Sequence, residues 1–271
     1  MRGTSPDRSP TVSGTQTLMR GLELLECIGR GTSTVKAMTQ ELGLPRSTLT
    51  RMLSGLVAAG YLYHIPYKGY FLGPRLVELG ERGAEQRPLV SIARPVLEAL
   101  SASVRDTVYL GLFSQEAVLY IDKLPSSRGI DMQSQIGYRM PLASTALGKA
   151  MMMCLPEADW PDLYAISSVS TDERNPFDRD RFPPMRDFAD LARDLREAKA
   201  RGWSYDLEES EYGIRCVAAP VTDRGGRPVG AVSVSGALSF MPDERMEQLG
   251  AEVRAAAERI SRALRWQEGG G

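Results

Sequence analysis

A tight turn at Gly43-Leu44-Pro45, between two short helical segments, restricts the fold of this chain more than any other feature. Apolar residues flank the turn at the spacing of an amphipathic helix: Val35, Met38 and Leu42 before it, and Leu49, Met52, Leu53 and Leu56 after it. Gly43 suits the left-handed residue that ends a helix. Pro45 suits the first position of the next helix, because its missing N–H would have no partner there in any case. Two short helices joined by such a turn predict a helix-turn-helix.

The segments on either side of these two helices complete a winged domain. A first helix is predicted over residues 15–28, with one apolar face formed by Leu18, Leu22, Leu25 and Ile28. After the helix that ends at Gly60, β-prone residues at 61–65 and 70–72 surround a turn that contains Lys68, which predicts a hairpin. An ordinary packing unit of three helices and a hairpin is the alternative interpretation.

The helix after the turn carries arginines and short hydroxyl side chains on the side that faces away from the predicted core. They are Arg46, Ser47, Thr48, Thr50, Arg51 and Ser54. Such side chains can reach base edges and phosphates when the first turns of a helix enter a major groove. Lys68, at the tip of the hairpin, could bind a phosphate. These seven residues are the predicted contacts to double-stranded DNA.

The distribution of charge agrees with this interpretation. The whole chain has a formal net charge of −1, but residues 14–75 contain seven basic and three acidic side chains. That segment therefore carries +4, and the remainder of the chain carries −5. A basic module joined to a larger acidic one is typical of a DNA-binding domain attached to a domain that does not touch DNA.

Four segments are predicted along the chain. They are a disordered tail at 1–13, the winged helix-turn-helix at 14–75, linker helices at 76–104 and a larger domain at 105–267. From Thr107 the apolar pattern alternates as in strands, with a hairpin over 107–121 and later strands at 203–207, 214–222 and 228–235. Helices are predicted at 147–153, 186–200 and 243–266. This mixture predicts an α+β domain with a mostly antiparallel sheet.

Composition narrows the cellular setting. The chain has no apolar run of about 18 residues, so no membrane contact is expected. Its polar first residues do not form the apolar region of a signal peptide. Cys27, Cys154 and Cys216 lie far apart, which favours free thiols in a reducing compartment over a disulfide framework. A cytoplasmic location is therefore expected.

Several motifs, in order along residues 14–266, resemble the IclR family of bacterial transcription regulators. The N-terminal motifs are Leu18-x-Arg20-Gly21-Leu22, Glu41-Leu42-Gly43-Leu44-Pro45-Arg46-Ser47-Thr48 and Gly69-Tyr70-x-Leu72-Gly73-Pro74. The C-terminal motifs are Pro141-Leu142-x-Ser144-Thr145-Ala146-x-Gly148-Lys149-Ala150, Gly213-Ile214-Arg215-Cys216 and Val232-Ser233-Val234-Ser235-Gly236. The resemblance implies a GAF-like C-terminal domain that binds a small organic-acid effector, such as a sugar acid or an aromatic acid. It also implies a homodimer or homotetramer on a palindromic operator of a catabolic operon, acting more often as a repressor than as an activator.

The resemblance further implies a set of residues that line the effector pocket. They are Met140, Ala146, Leu147, Asp206, Ile214, Cys216, Ser233 and Ser235. The two serines are two residues apart on one predicted strand, so both hydroxyls point to the same face. Free N–H groups at the start of the helix after Ser144 would favour an anion. The Asp206 carboxylate suits a hydroxylated ligand.

Cys216 raises the possibility of an enzyme tethered to DNA. A nucleophilic cysteine needs a base, and the only histidine, His64, falls in the predicted hairpin of the other domain. Lys149 follows a glycine but lacks the glycine-rich loop of a phosphate site, so a lysine on a helix surface is predicted. No catalytic residue, metal site or cofactor is expected. An architectural DNA-binding oligomer without an effector is a further alternative.

Overall fold

The computed structural model describes residues 15–86, 88–114, 116–129, 132, 134–173 and 183–267. The predicted tail at 1–13 lies outside the described residues. So does the charged segment at 178–181, which the sequence predicts to be a solvated loop. The chain divides into two units, Met1–Gln86 and Arg87–Gly271. No described helix has both the length and the apolar character needed to cross a bilayer.

The N-terminal unit contains the predicted helices and hairpin. Its elements are α1 (Gln16–Gly29), α2 (Val35–Leu42), α3 (Arg46–Ala58), β1 (Leu62–Ile65), β2 (Gly69–Leu72) and α4 (Pro74–Glu85). β1 and β2 pair antiparallel. The core takes its buried side chains from α1, α2, α3 and β1: Leu24, Cys27, Ile28, Met38, Leu49, Leu53 and Leu62.

The turn between α2 and α3 differs from the prediction in one detail. Thr34 accepts a hydrogen bond from the Ala37 N–H at the start of α2, and Gly43 ends α2 at a φ of 63°. Pro45 has a ψ of 138°, so it precedes α3 as the cap residue and Arg46 is the first helical residue. The prediction that Pro45 occupies the first helical position is therefore wrong by one residue, a common uncertainty at helix ends.

The apolar face predicted for α1 is buried mainly in the second half of the helix. Leu18 and Leu22 are 62% and 46% exposed, whereas Leu24, Cys27 and Ile28 are buried. The core contacts lie in the C-terminal half of the helix, which packs against α2 and β2. The N-terminal half of α1 therefore keeps an apolar surface within this unit.

The C-terminal unit is an α+β domain around one antiparallel sheet. Its strands are β3 (Thr107–Ser114), β4 (Ala117–Leu124), β5 (Arg139–Pro141), β6 (Ser204–Leu207), β7 (Ile214–Thr222) and β8 (Pro228–Ala237). Its α-helices are α5 (Pro88–Val104), α6 (Ala146–Met152), α7 (Trp160–Glu173), α8 (Phe188–Arg201) and α9 (Asp243–Gln267). The strand order is β5-β4-β3-β8-β7-β6, with antiparallel neighbours throughout. This architecture confirms the predicted fold class.

Helices cover both faces of the sheet. On one face, Val232 and Val234 of β8 share a core with Leu97 of α5 and Val253 of α9. On the other face, side chains of β3, β4, β7 and β8 share a second core with Leu147 of α6. Because side chains alternate along a strand, each central strand contributes to both cores. α5, predicted as part of a linker, thus packs in the core of this unit.

Candidate functional site

The outer face of α3 carries most of the predicted DNA contacts in an exposed position. Arg46, Ser47, Thr50, Arg51 and Ser54 are exposed, and Thr48 is half-buried. The Thr50 hydroxyl donates to the Arg46 carbonyl oxygen at 2.9 Å, so it faces its own helix. On the inner side, Leu49 and Leu53 are fully buried. The packed inner side fixes the helix while its outer face stays accessible.

The β1–β2 hairpin is fastened to the start of α2. The Tyr70 N–H donates to the Ser33 carbonyl oxygen at 2.8 Å, and the Ser33 hydroxyl donates to the Lys68 carbonyl oxygen at 3.3 Å. A Cβ at Gly69, where φ is 111°, would lie 2.3 Å from the Ser33 oxygen, so only glycine permits this approach. Lys68 itself is exposed in the turn between the strands.

In the C-terminal unit, a row of polar side chains crosses four strands on the α6 face. In register, Asp206 of β6 pairs with Cys216 of β7, Cys216 pairs with Ser235 of β8, and Ser235 pairs with Thr107 of β3. Ser233 lies two residues along β8 on the same face. All of these side chains are at least nine-tenths buried.

The structure brings the sequence-predicted pocket residues together on this one face. Ala146, Leu147 and Cys216 are buried in the core that lies between the sheet and α6, and Met140 and Ile214 pack against it half-buried. Asp206, Ser233 and Ser235 supply the polar part. Residues distant in sequence, from β5 to β8, thus lie on one face of the sheet, with Met140 and Asp206 on its two opposite edge strands.

Thr107 is a member of this surface that sequence reasoning missed. Its Oγ1 is fully buried and, among the described residues, has no hydrogen-bond partner. An unsatisfied buried hydroxyl costs roughly 1–3 kcal/mol, and a ligand atom that accepted its hydrogen bond would offset that cost. Thr107 could have been found from its position at the start of β3, which pairs with β8, the strand of Ser235. The pairing of the strands was not predicted from the sequence.

Asp206 is held by the loop that follows β6. Its Oδ1 accepts the Glu209 N–H at 2.7 Å and the Ser210 N–H at 3.2 Å, and its Oδ2 accepts the Ser210 hydroxyl. Burial raises the pKa of Asp206 to about 6, although Lys149 and the bonds from Ser210 and Glu209 favour the charged form. The carboxyl group therefore titrates near pH 6.

A prediction for stability against pH follows from this raised pKa. Folding favours the protonated carboxyl, so its stabilising contribution is complete below about pH 4 and is lost as the pH rises through 6. Relative to Asp206→Asn, the wild-type free energy of unfolding should fall by about 2–3 kcal/mol between pH 4 and pH 7. Urea unfolding of both proteins across this range measures the difference; a difference that does not change with pH would contradict the assignment.

Two other predictions from sequence are wrong in this region. Lys149 is not on the surface: it is 2% exposed, and its Nζ lies 2.5 Å from Oε1 of Glu209. The start of α6 does not leave all its N–H groups free, because Thr145 accepts the Gly148 N–H at 3.1 Å. An anion at that helix end would therefore have fewer free N–H donors than the sequence predicts.

The surroundings of Cys216 do not favour a nucleophile. Burial raises the pKa of its thiol well above the ordinary value, which keeps the sulfur protonated. His64 lies on β1 of the N-terminal unit. In the described part of the chain, no group of three or more histidine, cysteine, aspartate or glutamate side chains could hold a metal ion.

Comparisons with known proteins match both units. The family model described as Bacterial transcriptional regulator IclR C-terminal matches residues 82–262, and the IclR helix-turn-helix domain matches residues 17–66. The Acetate operon repressor of Salmonella typhimurium is 29% identical over 269 residues, which cover 97% of this chain and 95% of that protein.

Two solved structures show the same fold. The Thermotoga maritima IclR is 28% identical with a TM-score of 0.73, over 93% of this chain and 99% of that chain. An IclR homolog from Microbacterium hydrocarbonoxydans, complexed with 4-hydroxybenzoate, is 23% identical with a TM-score of 0.75, over 93% and 100%. Since the family models match the helix-turn-helix and more than half of the whole chain, the chain belongs to the IclR family and is a DNA-binding transcriptional regulator.

Proposed function

We propose that this regulator is a repressor of a catabolic operon, released from or retained on its operator by a small organic acid. The observation that carries the proposal is the buried polar row Asp206-Cys216-Ser235-Thr107 beside an apolar wall, in a unit separate from the exposed α3 face. The Acetate operon repressor, a relative over nearly the whole length, supports the direction of regulation.

The chemistry of the surface favours a small, partly apolar acid. Ser233, Ser235 and Thr107 offer hydroxyl donors, and Leu147 with Met140 offers apolar contact. Asp206, with its pKa near 6, can hold a proton when an anion binds next to it. An aromatic or keto acid matches these groups, and 4-hydroxybenzoate, the ligand of a structural relative, is of this class.

A route from the effector to the first unit runs through β8. Ser233 and Ser235 face the proposed effector, whereas Val232 and Val234 of the same strand pack in the core with α5. A ligand that shifts β8 would therefore also shift α5, the helix that follows the N-terminal unit in the chain. If β8 and α5 together adopt two positions, and the effector favours one of them, effector binding and DNA binding would be coupled as allostery requires.

We propose that the DNA-binding form is a homodimer, and a homotetramer remains compatible with it. The exposed apolar side chains Leu18, Met19 and Leu22 of α1 form a surface that a second copy could cover. A twofold dimer would present two α3 helices to the half-sites of a palindromic operator.

Loss of a hydroxyl group in the polar row is expected to weaken effector binding and preserve DNA binding. A screen of 4-hydroxybenzoate, gluconate and pyruvate by thermal shift identifies a binding acid, since a ligand at 100 times its Kd stabilises by about 2.7 kcal/mol. Ser235→Ala and Thr107→Val should each weaken the binding of that acid about tenfold or more, because each removes a buried hydrogen bond to the ligand.

The control is Ser103→Ala, an exposed serine on α5, which should keep the full thermal shift. A normal shift in both Ser235→Ala and Thr107→Val would show that the effector binds elsewhere. If the protein converts the acid into a product, and Cys216→Ser stops this conversion, the C-terminal unit is an enzyme and the proposed effector sensor is wrong.

A further inference from the structure

Tyr67 stands at the tip of the β1–β2 hairpin in an unusual conformation. Its side chain is fully exposed, and its backbone has a φ of 66°. Left-handed backbone is unfavourable for a bulky L-residue, and asparagine or glycine would adopt it more easily. An aromatic residue at this position thus lowers folding stability without gaining any core contact.

The other aromatic side chains of the hairpin have partners within it. Tyr63 stacks on Phe71 with ring centroids 5.5 Å apart, and His64 contacts Tyr70 at 4.6 Å. Because these pairs lie on opposite faces of the two strands, they stiffen the hairpin. Tyr67 contacts no other ring in the described part of the chain, so its exposure has no packing explanation there.

Hydrogen bonds connect the tip of the hairpin to the rest of the N-terminal unit. The hydrogen bonds from Tyr70 N–H and the Ser33 hydroxyl fix the residues immediately after Tyr67 to the start of α2. The Lys68 N–H also donates to the Ile65 carbonyl oxygen at 3.1 Å and closes the turn. The tip thus carries an exposed tyrosine and an exposed lysine on consecutive residues of a hydrogen-bonded turn.

We propose that Tyr67 is a DNA-contacting residue, packing its ring on a deoxyribose and donating its hydroxyl to a backbone phosphate at the edge of the half-site. The inference rests on the proposed function, in which α3 binds an operator half-site, and it adds the hairpin as a second contact to the same duplex. Tyrosine hydroxyls are common phosphate donors, and such contacts set register and affinity without reading bases. The strained conformation is retained because the ring is used in the complex.

The test compares the DNA affinities of Tyr67→Asn and Lys68→Gln. The wild-type protein first selects a duplex of about 30 base pairs from a random pool, a length that holds two half-sites. Tyr67→Asn should bind about tenfold more weakly, because both hairpins of a dimer lose a hydrogen bond. Its melting temperature should equal or exceed that of the wild type, since asparagine tolerates a positive φ. Tyr212→Asn, at a half-exposed tyrosine of the other unit, is the matched control and should bind normally.

Salt dependence separates a contact from a displaced hairpin. Tyr67→Asn should leave the slope of log affinity against log salt unchanged, whereas Lys68→Gln should reduce it by about two, one for each hairpin. The inference would be overturned if Tyr67→Asn bound DNA with wild-type affinity. It would also be overturned if Tyr67→Asn reduced the salt slope as much as Lys68→Gln does. Failure of the wild-type protein to select any duplex would instead contradict the proposed function itself.

Discussion

Replacement of Arg51 by alanine is expected to reduce operator affinity by about 1000-fold at fixed salt. A bidentate arginine contact to a guanine contributes roughly 1–3 kcal/mol, and a dimer loses two of them. Arg51 is exposed on the outer face of α3, whereas Leu49 and Leu53 of the same helix are buried. Its guanidinium can therefore extend into a groove without disturbing the core.

Fluorescence anisotropy with the selected duplex measures this loss, and the thermal shift with the effector should stay at its wild-type value. Arg46→Ala, one turn earlier, should show a comparable loss because it also extends from the first turns of α3. Arg196→Ala is the matched control: Arg196 is an exposed arginine on α8 in the other unit. Unchanged operator affinity in Arg46→Ala and Arg51→Ala would remove α3 as the recognition helix.

The N-terminal unit was predictable because local signals agree there. The glycine at the left-handed end of α2, the proline before α3 and the apolar spacing each point to the same pair of helices. Leu18 and Leu22 show the limit of this reasoning. Their spacing correctly indicates an apolar face, but a sequence cannot tell whether that face packs in its own core or remains exposed.

The C-terminal unit was predictable in its strands and less so in α7 and β5. β5 has three residues, too few for an alternating pattern. α7 is held by tertiary contacts, among them the Trp160 indole, whose N–H donates to the Met152 carbonyl oxygen at 2.9 Å. Such contacts join residues from different elements, and they are not visible in local spacing.

Within the candidate site, the difference between prediction and structure has the same origin. Ser233 and Ser235 lie on one strand, so their common face follows from sequence alone. Thr107 joins them only through the pairing of β3 with β8. Lys149 was assigned to the surface because a lone lysine on a helix is usually solvated, and its partner Glu209 lies 60 residues later in the chain.

That buried pair leads to the largest expected effect on stability. Lys149 Nζ and Glu209 Oε1 are 2.5 Å apart, and their side chains are 3% and 10% exposed. Glu209→Leu should cost about 4 kcal/mol, because it leaves a buried ammonium without its ion-pair partner. Lys149→Met should cost less, about 3 kcal/mol, since Glu209 keeps Arg186, whose Nη1 lies 3.5 Å from Oε1.

The double variant Lys149→Met/Glu209→Leu should recover most of the loss and unfold within about 1 kcal/mol of the wild type, because apolar side chains of similar volume can replace a buried ion pair. Urea unfolding of the four proteins gives the coupling energy. The exposed pair Arg193–Asp190 on α8 is the control, and Arg193→Ala should cost less than about 1 kcal/mol. Additive costs in the double variant would mean that Lys149 and Glu209 stabilise the fold independently, and that the ion pair does not fix α6 to the loop that holds Asp206.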